Sequence, residues 1–152
     1  MVDIAESFLP RLPGYGPFLP NTGAVPLSAL RWTDSGTATP LADQNGSADA
    51  PFATVQQAVD ALPAGGGTVC IVEGTYPDAV SIVGADKLCQ FIGYDATIQV
   101  LGAFTTAQTV YLEQCLATSI DSGDAIELRN SSVSGACTAV GDIVCQGDYA
   151  LG

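Results

Sequence analysis

The chain has 152 residues, of which 47% are hydrophobic and 13% charged, with a formal charge of −12. That is enough for one folded core, and the four basic residues (Arg11, Arg31, Lys87 and Arg129) are too few for the cationic footprint a nucleic acid requires. The same charge repels anionic membrane surfaces and polysaccharides, and no apolar run approaches the roughly 18 residues needed to span a bilayer.

In chain order, the opening MVDIAESFLPRLPG lacks a basic segment followed by an apolar one, so a secretory signal is not expected. Residues 1–30 hold five of the nine prolines: Pro10, Pro13, Pro17, Pro20 and Pro26. Proline fixes φ and disfavours helix at the residue before it, which predicts an extended arm. Phe8, Leu9, Leu12, Tyr15, Phe18, Leu19, Val25 and Leu27 make this arm too apolar for a solvated linker. It has two destinations, its own domain or a neighbouring chain, with a disordered tail as the alternative, and those eight residues are the candidate partner-binding set.

Residues 31–152 are expected to form a single domain, entered by a short strand at Leu30–Thr33. The loop after it, rich in Asp, Gly, Asn and Ser, includes Asp34, Asp43, Asn45 and Asp49. Without EF-hand spacing these read as turn residues rather than a calcium site. A helix is expected over 54–62. Thr54 and Gln57 form a capping box, Val55, Ala58, Val59 and Leu62 line one face, and Pro63 ends it.

From Gly65 onward the pattern is all-β. Short runs are predicted at 68–72, 79–83, 88–92, 96–101, 109–112, 125–128 and 143–145, separated by glycine-rich turns. Ile71, Phe91 and Leu112 recur at about 20 residues, with Leu128 or Val133 next, the mark of a solenoid, with a sandwich of longer strands as the alternative. The pairs Val69/Ile71, Cys89/Phe91, Val110/Leu112 and Ile126/Leu128 are expected inside, with Cys70, Gln90, Tyr111 and Glu127 outside. The five cysteines (Cys70, Cys89, Cys115, Cys137 and Cys145) form no CxxC pair, and histidine is absent. Most of the thiols are therefore expected to be reduced core residues, with no metal site.

The tract GSADAPFATVQQAVDALPAGGGTVCIVEGTYPDAVSI resembles the start of right-handed parallel β-helices of the pectin-lyase-like type. In that family a PF-TIQ-AVDA helix caps the solenoid and GGTV-I--GTY forms its first coil. The resemblance implies a short right-handed parallel β-helix with an N-terminal capping α-helix, about four coils and roughly 20 Å tall. The Asp/Gly/Ser-rich lead before the cap is most similar to that of tailed-phage virion structural proteins.

Enzymes of the family act on polysaccharides, through a basic proton abstractor with calcium or through two aspartates and an arginine. Here Arg129, with Glu127, Asp124 and Asp121 close in sequence, is the one place to draw such a site. An arginine paired with surface acids is the expected alternative. No catalytic, cofactor or metal residue is assigned, and the chain is expected to be a non-enzyme. What the resemblance implies is a virion protein at the particle surface, decorating or cementing a capsid or attaching a fibre or tail. Its partners would be its own copies, as a homotrimer, and a major capsid protein. A carbohydrate-binding or polysaccharide-degrading module is the alternative.

Overall fold

Short extended runs broken by glycine cannot bury their apolar faces singly, so each needs a neighbour above and below. The computed structural model describes residues 29–72, 74–84, 87–94, 99–147 and 150–151. Of the expected arm only Ala29 and Leu30 are among them. Phe8, Leu9, Leu12, Tyr15, Phe18, Leu19, Val25 and Leu27 lie outside the described residues.

The fold is a parallel β-solenoid of about four turns, with one α-helix among the described residues. One sheet, sheet A, stacks β1 (Leu30–Thr33), β2 (Gly66–Val72), β5 (Leu88–Tyr94), β7 (Val110–Glu113), β9 (Ile126–Arg129) and β12 (Ile143–Gln146) in that order. The facing sheet B runs from β13 (Ala150–Leu151) through β10 (Ser132–Val133), β8 (Cys115–Ser122) and β6 (Gln99–Thr106) to β3 (Thr75–Tyr76). In sheet B, β4 (Val80–Ile82) also pairs with β6, and β11 (Cys137–Ala139) with β8. All of these pairings are parallel.

The core lies between the two sheets. Val69, Phe91, Leu112 and Leu128 form one interior column, continued at its top by half-buried Cys145. Cys89, Val110 and Ile126 form a second column. Leu101, Phe104, Ala117, Ile120 and Val133 meet them from sheet B, and the Phe91 and Phe104 rings cross edge to face at 4.8 Å.

The expected period needs correcting. Ile71 stacks on Gly93, not on Phe91, because β2 begins two residues earlier than the run at 68–72 suggested. The step is 22 residues from Val69 to Phe91 and 21 to Leu112, then 16 to Leu128 and 17 to Cys145. The turn from sheet A to sheet B is tight in the later coils: Gln114 alone joins β7 to β8, and Asn130 and Ser131 join β9 to β10. Gln114, Asn130 and Gly147 sit at the same corner of successive coils with φ of 53°, 46° and 75°. That left-handed conformation admits Asn and Gly readily, and a Cβ on Gly147 would collide with the Asn130 side chain. Strands β3, β8, β10, β11 and β13, at sites the sequence reading left as turns, supply much of sheet B.

The base is closed by α1 (Val55–Ala61). Thr54 Oγ1 accepts from the Gln57 amide (3.2 Å) and the Gln57 side chain accepts from the Thr54 amide (3.0 Å), so the expected capping box is present. Val55, Ala58, Val59 and Leu62 are buried in the core cluster, as their spacing required. At the other helix end Arg31 donates to the Ala61 carbonyl (3.2 Å), where a cation is favoured. Gln56 clamps the helix to β4, donating to the Ser81 carbonyl (3.1 Å) and accepting from its amide (2.7 Å).

Candidate interaction surfaces

Three surfaces stand out: the outer face of sheet A, the upper end of the solenoid, and the loop beside the cap. Strand parity turns Cys70, Ile92, Glu113, Arg129 and Gln146 outward in one column. Thr68, Gln90, Tyr111, Glu127 and Val144 make the next. Outward does not mean exposed here. Thr68, Cys70 and Ile92 are fully buried, and Gln90 and Glu113 nearly so, while Tyr111 is half-buried and Glu127 exposed. The expected outward direction of Cys70 and Gln90 holds, and Cys70 is buried, as expected of most of the thiols.

Arg129 shares this face, and its ionic partner is Glu113, at 3.9 Å from Nε. Glu127 is two residues away on the same strand, and Asp121 lies on β8 of the other sheet. Asp124 accepts from the Thr109 hydroxyl (2.8 Å). The acids close to Arg129 in sequence are thus dispersed by the coil, and the one that pairs with it comes from the coil below. Burial pushes the Glu113 carboxyl up to about 7, opposed by the Arg129 charge, and Glu113 Oε2 has no hydrogen-bond partner. Sequence reading missed Glu113; its register opposite Arg129 was the available signal, and it required the correct coil length.

The acidic loop behaves as turns. Asp34 accepts from the Gly36 amide (2.8 Å) and Asn45 from the Ser47 amide (2.9 Å). No cluster of three or more metal-ligating side chains occurs among the described residues. Tyr76 anchors this loop to the first coil: its hydroxyl donates to the Val72 carbonyl (2.7 Å) and accepts from the Ser35 amide (3.2 Å). A shallow pocket of about 210 Å³ opens beside it, lined by Ser35, Thr54, Tyr76 and Asp78 among others.

The upper end differs from both. Ile143 lies above Ile126 and faces the interior, yet it is 39% exposed where Ile126 is fully buried. Val144 and Leu151 are similarly open, and Val140 is exposed in the turn between β11 and β12. Strands β12 and β13 end their sheets among the described residues, so their outer backbone edges carry no described strand. Cys137 and Cys145 are half-buried beneath this end, and all five cysteines are free thiols, as expected for most of them. Burial pushes the Cys70 thiol up to about 12 and Cys89 to about 11, which makes both poor nucleophiles.

No protein-family model, curated protein or solved structure matches the chain.

Proposed function

We propose that the protein is a non-enzymatic structural component of a virion, a small β-solenoid that decorates or cements the particle surface through contacts at its open end and its N-terminal arm. The open end carries the reading. Interior-facing Ile143 and its neighbours Val144 and Leu151 stand exposed beside unpaired parallel edges, a surface suited to another subunit. The resemblance of the cap and first coil to pectin-lyase-like β-helices, phage virion proteins among them, gives the class of assembly. A homotrimer contacting a major capsid protein fits a short solenoid with an apolar end. The test is co-sedimentation with purified particles. The parent chain is expected to remain bound, and Ile143→Asp/Leu151→Asp and deletion of residues 1–28 are each expected to release it. Full retention by both variants would reject the proposal.

A second reading has one observation behind it. Tyr111, Glu113, Glu127 and Arg129 share the outer face of β7 and β9, and Glu113 titrates near neutrality as an acid–base group would. It predicts release of reducing ends from a polysaccharide, lost in Glu113→Gln and Arg129→Ala.

A further inference from the structure

We propose that the outer face of β2, β5 and β7 is a docking seat for the chain's own N-terminal segment, from within residues 1–28. Thr68, Cys70 and Ile92 are 0% exposed, Gln90 4% and Glu113 6%, although strand parity points all five away from the core. Parity alone does not bury this face. One coil higher the same columns present exposed Glu127 and an Arg129 side chain that is 42% exposed. Cys70 and Ile92 lie outside the interior cluster, and the main contacts of β2 and β5 are with neighbouring strands of their own sheet, with the helix at the base and with β8 of the facing sheet. The helix closes the base. The 34–53 loop extends sheet A in its own plane, through hydrogen bonds from Trp32 N to Gly46 O, Phe52 N to Trp32 O and Asp34 N to Phe52 O.

The occupant is therefore sought among the remaining residues of the chain. Apart from 1–28 these are 73, 85–86, 95–98, 148–149 and 152, too short to roof three strands. Residues 1–28 precede Ala29 and Leu30, which enter sheet A as the strand adjoining β2. Three strand spacings amount to about 14 Å, which about five extended residues cover. The chemistries match. The seat is uncharged at Thr68, Cys70, Gln90 and Ile92, of which Cys70 and Ile92 are apolar, and it is rimmed by half-buried Trp32 and Tyr111. A proline-rich apolar segment suits such an aromatic-edged surface. The raised Glu113 carboxyl is what such a cover produces.

The proposal concerns the free chain and stands apart from virion binding. An arm held here has to leave its seat, or leave its earlier part free, before gripping a neighbour.

The test is thiol labelling of the full chain, resolved by peptide mass spectrometry. Cys89 and Cys115 point into the core and report on folding, while half-buried Cys137 and Cys145 set the rapid scale. In the parent, Cys70 is expected to label as slowly as Cys89. In full-length Leu12→Asp/Phe18→Asp/Leu27→Asp it is expected to accelerate about tenfold or more, with Cys89 and Cys115 unchanged. A Cys70 that labels fast in the parent, or stays protected in the variant, overturns the seat. Should Cys89 and Cys115 accelerate too, Tyr111→Lys at the rim decides. Tryptic cleavage after Arg11 is expected to quicken about tenfold in that variant, and cleavage at the parent rate overturns the proposal.

Discussion

The two ends of the solenoid face the same problem and solve it differently. Any parallel stack leaves a terminal layer of apolar side chains and a row of unpaired backbone groups. At the base, α1 lays Val55, Ala58 and Val59 over the first coil, and β1 with Phe52 continues the sheet beyond β2. At the top, Ile143, Val144 and Leu151 keep 39–44% exposure. The base is finished by local sequence, within some twenty residues of its first coil. The top is finished by nothing described, and Ile143, of the layer that would be its core, is part of the surface. A contact made there adds burial that the lower coils already have internally.

Matched truncations are the hardest test of this contrast. Leu62→Ala at the base removes a buried side chain from the core cluster and is expected to cost about 2–5 kcal/mol in urea unfolding. Ile143→Ala at the top, where solvent already reaches the side chain, is expected to cost less than about 1 kcal/mol. Equal costs would mean that the ends are equally well packed. Next in size is Gly66→Ala. Gly66 begins β2 at φ 88°, and an added Cβ would collide with the Leu88 carbonyl. The strained conformation alone costs about 1–3 kcal/mol, so the variant is expected to lose at least that much and to loosen the seam between the first two coils. Thr54→Ala comes third. It removes the acceptor for the Gln57 amide and is expected to cost about 1 kcal/mol, with Gln57→Ala smaller and the double variant less than additive, because the two share one box.

The same contrast decides what was legible in the sequence. The base could be read because its signals are local: a capping box, a helical stripe, a proline stop and three glycines sit side by side in the chain. The inner and outer faces of β2, β5, β7 and β9 could be read because a strand alternates with period two whatever lies next to it. Coil register could not, because it depends on turn lengths, and the coil step shrinks from 22 to 16 residues up the stack, where Gln114 alone turns the chain from β7 to β8. The brief strands of sheet B were missed for the same reason. Thr75–Tyr76 and Ser132–Val133 are two residues each and exist only because a neighbouring coil pairs with them. The partner of Arg129 was hidden by this too. Glu113 is 16 residues away in sequence and directly beneath Arg129 in the stack, whereas Glu127 is two residues away on the same strand.

That pair supplies the smallest effect, and it lies between the two ends, where the wide lower coils give way to the narrow upper ones. Glu113 ionises near 7 in the folded chain against an ordinary 4.5, chiefly because it is buried and despite the Arg129 charge. The folded state therefore binds more protons than the unfolded state between about pH 4.5 and 7. Stability is expected to fall as pH rises through that window and to level off above it, the reverse of a salt-bridged carboxylate whose value is depressed. In Glu113→Gln the slope disappears. In Arg129→Ala the favourable charge is lost, so Glu113 rises further and the slope extends to higher pH. The loss at neutral pH stays below about 1 kcal/mol, since the Arg129 side chain is 42% exposed and the pair is 3.9 Å apart. Urea unfolding of the parent and both variants at about pH 5, 6.5 and 8 reads these slopes. A parent stability that rose between pH 5 and 7, with that rise removed by Glu113→Gln, would show a carboxylate stabilised by its arginine rather than strained by burial.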